Sequence, residues 1–167
     1  MAAPGIAAQR DALARLRVAL DTDAGQVVEA ALLPLWSLEP DSELMPEFRA
    51  VLVHLLEAPW HQRHEDVARQ IQTLRIPEPV PALERMASTV FEHLRYYDAG
   101  HAFSRKCIWA LADIGTPQAF QALQRISKAA DTEVAGYALK RLARWEDERG
   151  RKLNNTSPIR SPLDRGC

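Results

Sequence analysis

Residues 63–87 and 103–127 align at a constant offset of 40, with no gap. The core of the match sets Pro77-Glu78-Pro79-Val80-Pro81-Ala82-Leu83-Glu84-Arg85-Met86 on Pro117-Gln118-Ala119-Phe120-Gln121-Ala122-Leu123-Gln124-Arg125-Ile126. Upstream, Val67, Ala68, Ile71 and Leu74 fall on Cys107, Ile108, Leu111 and Ile114. Only Pro, Ala, Leu and Arg are identical across the core. The weight comes from agreement in type: apolar on apolar, Glu on Gln, a Pro at each turn. A period of this length with two helices per unit marks units that stack and share one core. The pattern predicts an all-α chain, an α-solenoid of about four stacked helical hairpins with roughly eight helices. Solenoids of this kind usually act as binding surfaces rather than catalysts.

Apolar spacing locates the helices. The expected spans are residues 6–20, 24–38, 46–58, 59–75, 79–94, 101–114, 117–129 and 131–145. Pro34 kinks or ends the second. Phe48, Val51, Leu52, Leu55 and Leu56 share one face of the third. The fourth turns Val67, Ala68, Ile71 and Leu74 inward. The fifth turns Val80, Leu83, Met86, Val90 and Leu94 inward. Tyr96-Tyr97-Asp98-Ala99-Gly100 reads as the longest internal loop. Gly115-Thr116-Pro117 places Gly at a helix end and Pro in the first turn of the next helix. Asp131 or Thr132 caps the last helix, which resembles the first half of a further unit and so closes the stack around Trp145.

Hydrophobic residues make up 47% of the chain, enough for a core, and most of the eleven prolines sit at helix starts or turns. Formal net charge is −1, unevenly placed. Residues 149–167 carry five Arg/Lys against Asp164, or +4, leaving −5 on residues 1–148. That division sets a single helical domain, 1–148, before a basic tail, 149–167, whose composition predicts disorder. An acidic body argues against nucleic acid as the partner, and four net charges without interleaved aromatics read as a solvated tail. Two cysteines, Cys107 and Cys167, form no disulfide framework and fit a reducing compartment. No signal-peptide core stands at the N-terminus. The longest apolar run, seven residues from Ala30 to Trp36, contains Pro34 and is too short to span a bilayer. A cytoplasmic protein with no membrane partner is expected.

The segment Lys106-Cys107-Ile108-Trp109-Ala110-Leu111-Ala112-Asp113-Ile114-Gly115-Thr116-Pro117-Gln118-Ala119 resembles a HEAT-like repeat of the short bacterial kind, related to phycobilisome-lyase repeats. It fits the pattern A-x-x-A-L-x-x-I-G-x-P-x-A at every fixed position but the first, where Cys107 stands in place of Ala. The unit at 61–95 follows it moderately, and the first sixty residues fit only as helical hairpins. Together with Pro-Trp-His-x-x-His-Glu-Asp at 59–66, the chain is similar to small bacterial HEAT-repeat proteins, some of them immunity proteins encoded beside antibacterial toxins. The resemblance implies a HEAT-like superhelix. It also implies a non-catalytic module that binds another protein, in its sharper form a toxin domain that it neutralises. A scaffold or regulatory subunit is the alternative. HEAT-type lyases and DNA glycosylases give an enzymatic one, but a glycosylase needs a basic groove that the acidic body opposes.

The richest polar cluster is Trp60-His61-Gln62-Arg63-His64-Glu65-Asp66. Its H-x-x-H-E order is not the H-E-x-x-H of zinc proteases. Glu65 and Asp66 suit the positive end of a helix. Tyr96, Tyr97 and Asp98 offer aromatics beside an acid, a frequent interface anchor. Lys106, Trp109 and Asp113 share a helical face opposite Cys107, Ile108, Leu111 and Ile114, and Cys107 reads as an inert core thiol. No Gly-rich phosphate loop, nucleophile elbow or paired Cys-x-x-Cys occurs. The expectation is therefore no catalytic residue, metal or cofactor. The candidate partner contacts are Trp60, His61, His64, Glu65, Asp66, Tyr96, Tyr97, Asp98, Lys106, Trp109 and Asp113, with packing inside the fold as the alternative for the Trp60–Asp66 cluster, for one of the tyrosines and for Trp109. The offset sharpens that choice: Glu65 falls on Arg105 and Asp66 on Lys106, so charge inverts where the core is kept.

Overall fold

The computed structural model describes residues 5–98 and 100–148, without the side chains of Tyr97 and Asp98. The basic tail expected at 149–167 lies outside the described residues, as do those two side chains.

The described residues are all-helical, with no strand. The helices are α1 (Ile6–Thr22), α2 (Gly25–Leu32), α3 (Met45–Glu57), α4 (His64–Leu74), α5 (Val80–Met86), α6 (Arg95–Asp98), α7 (His101–Ile114), α8 (Pro117–Ile126) and α9 (Thr132–Ala143). Short 3₁₀ stretches span Leu33–Ser37 and Glu92–Leu94. A last helical turn follows at 145–148.

Capping chemistry sets several ends. Gly115 takes a left-handed conformation (φ 70°) and its N–H donates to Leu111 O, closing α7. Thr116 Oγ1 accepts from the Ala119 N–H at 3.2 Å, with Pro117 in the first turn of α8. Asp131 rather than Thr132 caps α9, accepting from the N–H groups of Glu133 and Val134 at 2.9 and 3.1 Å. In the preceding unit Arg75 sits where the second unit has Gly115 and also adopts the left-handed conformation (φ 49°). The turn geometry recurs although the residue does not.

Three expected boundaries change. Pro34 lacks the N–H that an α-helix needs, so the second helix tightens into 3₁₀ from Leu33. The fourth helix begins at His64, leaving 59–63 as a turn. The fifth ends at Met86 instead of running to 94. There the Ser88 and Thr89 N–H groups bond back to Arg85 O and Met86 O, and the Thr89 hydroxyl donates to Arg85 O at 3.0 Å. The chain then turns so that Phe91 stacks on His64. Val90 is consequently exposed, against expectation, while Leu94 stays buried. The region expected as a loop after Leu94 contains the helical turn α6.

Packing runs between neighbours. The paired helices of the two aligned units lie side by side, α4 on α7 and α5 on α8. The series continues with α3 on α5 and α7 on α9, while α1 covers α2 and α3. This order is compatible with a solenoid. Val67, Ala68, Ile71, Leu83, Cys107, Ile108, Leu111 and Leu123 form one continuous core, as the aligned apolar positions predict. Trp145 is nearly buried and packs on Phe120, with ring centroids 5.0 Å apart, which closes the far end.

Polar rungs reinforce the stacking. Arg125 Nε and Nη2 donate to the two carboxylate oxygens of Glu84 at 2.6 and 2.8 Å. Its aligned mate Arg85 uses the same two nitrogens but donates both bonds to one oxygen, Glu57 Oε1, at 3.0 and 2.8 Å. The arginine kept by the repeat thus reaches one unit upstream each time.

Candidate functional site

The structure divides the candidate residues between two places, one inside and one on the surface. The first is the turn between α3 and α4. Helix α3 ends with carbonyls that have no partner in the helix. His61 Nδ1 accepts from the Arg63 N–H at 2.9 Å, so its Nε2 carries the proton and donates to Leu55 O at 2.7 Å. His64 Nε2 donates to Ala58 O at 2.8 Å. Both rings are buried and stacked, with centroids 4.1 Å apart, and His64 continues onto Phe91 at 3.7 Å and His93 at 5.2 Å. Trp60 meets the edge of His61.

Burial disfavours charge on these rings. Desolvation is the largest cause lowering the pKa of His61, His64 and His93, and it holds His64 at about 3, with the neighbouring His61 adding to the effect. The cluster is therefore neutral at pH 7. It stitches the end of α3 to the start of α4, and the two Nε2 atoms that a metal would need are committed to backbone carbonyls. Gly25 belongs to this fit: a Cβ there would stand 2.1 Å from the Trp60 carbonyl oxygen. The outer edge of the turn remains open. Trp60, His61, His93 and Tyr96 line a shallow cavity of about 390 Å³, and Tyr96 itself is 83% exposed.

The second place is the surface of the layer formed by α4, α7 and α9. Helix α7 sits between the other two, and its candidate residues reach both ways. Lys106 pairs with Glu65 of α4, and Asp113 Oδ2 accepts from Gln72 Nε2 at 2.6 Å. Arg63 joins Asp66 and Glu29 near the start of α4. The charge inversion across the offset therefore has a structural use at one position: Glu65 supplies a rung to Lys106, one position out of register with the alignment, while Asp66 pairs with Arg63 in its own unit.

Trp109 faces the other way, toward α9. The residue is 40% exposed, and its ring lies between two guanidinium groups, Arg105 Cζ at 5.6 Å and Arg141 Cζ at 5.7 Å from the ring centroid. Arg105 also stands 6.0 Å from the Tyr137 ring. Tyr137 donates to Glu133 at 2.5 Å, and Arg141 to Glu148 at 2.9 Å. Arg105, Tyr137 and Arg141 were not among the residues expected from sequence. Their signal was present as two i, i+4 pairs, Arg105 with Trp109 and Tyr137 with Arg141, but nothing in the spacing says that α9 lies against α7.

Cys107 is fully buried, and burial pushes its thiol far above the ordinary range. It is a core residue, as expected. Among the described residues no group of three or more His, Cys, Asp or Glu is arranged to hold a metal, and no helix is long and apolar enough to cross a membrane. No family model matches the chain, and no curated protein or solved structure matches it either.

Proposed function

We propose that this chain is a non-catalytic protein-binding module whose contact surface is the α4–α7–α9 layer, centred on Trp109. The observation that carries the reading is the exposed Trp109 ring held between Arg105 and Arg141, with Tyr137 beside it. Trp, Tyr and Arg are the residue types that dominate binding energy at protein interfaces. Fixing their side chains before contact lowers the ordering cost of association. The buried groups support binding over catalysis, since the histidines are neutral and tied to backbone and the thiol is protonated.

In its sharper form the module is a cytoplasmic, HEAT-like immunity protein that covers the active site of a cognate toxin. Co-expression with the product of the adjacent gene tests this form. Wild type should relieve that product's toxicity and Trp109→Ala should not. An adjacent product that is harmless, or equally toxic with and without this protein, rules the immunity form out. Affinity purification from the native host tests the broader reading. A stoichiometric protein partner retained by wild type and lost by Trp109→Ala is expected. Retention by both overturns the choice of surface, and a stable multi-subunit assembly favours a scaffold role.

A further inference from the structure

The surface around Trp109 also constrains the chemistry of what it contacts. Each nearby carboxylate already has a partner. Glu65 is taken by Lys106, Glu148 by Arg141, and Glu133 by Tyr137 and His101. Among the described residues no carboxylate pairs with Arg105, whose contacts are the Trp109 and Tyr137 rings. An aromatic contact attracts the cation but leaves its in-plane N–H donors unused. Those donors match a carboxylate in two parallel hydrogen bonds. The two rings restrain Arg105 in position, so little further ordering is needed when an acid arrives. Beside it the exposed part of Trp109 offers apolar surface.

Building on the protein-binding reading, we infer that this surface recognises an acidic side chain followed by an aliphatic one on its protein partner. The Asp or Glu carboxylate takes the Arg105 fork, and the aliphatic group lies on Trp109. Single-stranded nucleic acid would also find stacking rings and cations here. The mild acidity of the folded body, −5 over residues 1–148, opposes a chain of phosphates much more than one carboxylate seated on Arg105.

The test uses the full-length ¹⁵N-labelled protein and three capped hexapeptides, alternating Glu-Leu, Gln-Leu and Lys-Leu. The readout is the indole N–H resonance of Trp109, assigned by its disappearance in Trp109→Phe. A saturable shift with the Glu-Leu peptide is expected, weaker by roughly tenfold or more with Gln-Leu and absent with Lys-Leu. Arg105→Gln, a surface change checked for an unaltered Tm, should weaken Glu-Leu binding to the same degree. Arg105→Lys should restore only part, because charge returns without the fork. Equal shifts with Glu-Leu and Gln-Leu, no saturable shift, or a shift with a single-stranded oligonucleotide while Glu-Leu is silent would each overturn the inference. Failure of the broader reading is distinguishable. A native partner lost by both Trp109→Ala and Arg105→Gln supports the inference. A partner lost by Trp109→Ala but kept by Arg105→Gln removes the carboxylate rule alone. A partner kept by both removes the surface as well.

Discussion

The two aligned units place different residues at equivalent positions, and the consequences differ with depth. His64, the first residue of α4, and Ser104, in the first turn of α7, are both buried. Yet His64 donates across a turn to Ala58 O, whereas Ser104 donates locally to Gly100 O at 3.3 Å. Arg75 and Gly115 share one left-handed turn, and Arg85 and Arg125 share one upstream reach. On the outer face of α4 and α7 the correspondence ends. The second unit exposes Trp109 where the first has Arg69. Buried and turn positions tolerate different residues because the surrounding packing supplies the missing contacts. Trp109 is held by Arg105 and by Arg141 of α9, yet it stays partly exposed.

The comparison breaks most severely if the first unit is given the second unit's residue. His64→Ser removes a buried ring from the Phe91 and Phe103 stack and leaves Ala58 O without its donor. A loss of about 3 kcal/mol is expected in urea unfolding. A loss under about 1 kcal/mol would mean that the turn does not depend on the ring.

Acid probes the same unit next. The folded pKa of His64 lies below its unfolded value, so the unfolded chain binds the proton more readily. Stability is then complete above about pH 6.5 and declines as pH falls toward about 3. From His64 alone, about 2 kcal/mol should be gone by pH 5. The lowered pKa values of His61 and His93 act in the same direction. Unfolding curves at pH 7 and pH 5 should show the loss, and His64→Ser should flatten the dependence. A pH-independent midpoint over this range would contradict a neutral buried cluster.

In the second unit the expected effect on stability is smaller and the effect on binding larger. Trp109→Ala should lower stability by about 1 kcal/mol, since the ring is partly solvated and loses two cation–π contacts. It should nonetheless abolish partner capture. A stability cost near that of His64→Ser would make Trp109 a core residue instead.

The smallest term is the rung between the units. A double-mutant cycle on Glu65 and Lys106, each changed to Gln, should give a coupling of about 0.5 kcal/mol, reduced by added salt. Zero coupling would leave the sign inversion across the offset without a stacking role.

Much of the fold was legible from local pattern. Val67, Ala68, Ile71 and their mates in α7 point inward because helical periodicity assigns faces without reference to partners. Gly115, Thr116 and Pro117 state a helix stop and start in their own chemistry. Helix continuity past Met86 was misread, because Ser88, Thr89 and the burial of Phe91 against His64 override a sequence that otherwise continues an apolar stripe. The candidate site was legible only in parts. Lys106, Trp109 and Asp113 share a helical face by spacing, yet Lys106 and Asp113 reach α4 while Trp109 reaches α9. Whether that face met another helix, a solvent surface or a charge was not contained in its spacing.

By itself, then, the sequence determined which residues face inward, where helices cap, and that two units 40 residues apart share a core. These follow from periods and short-range bonds that a few neighbouring residues complete among themselves. Only the tertiary structure decided that Glu65 meets Lys106, that His64 is spent on the end of α3, and that Arg105 and Arg141 bracket Trp109. Except for the short turn joining Ala58 to His64 and the i, i+4 contact of Arg105 with Trp109 inside α7, these contacts bring residues of different helices together. Their geometry depends on how the helices are set against one another, which no local period encodes.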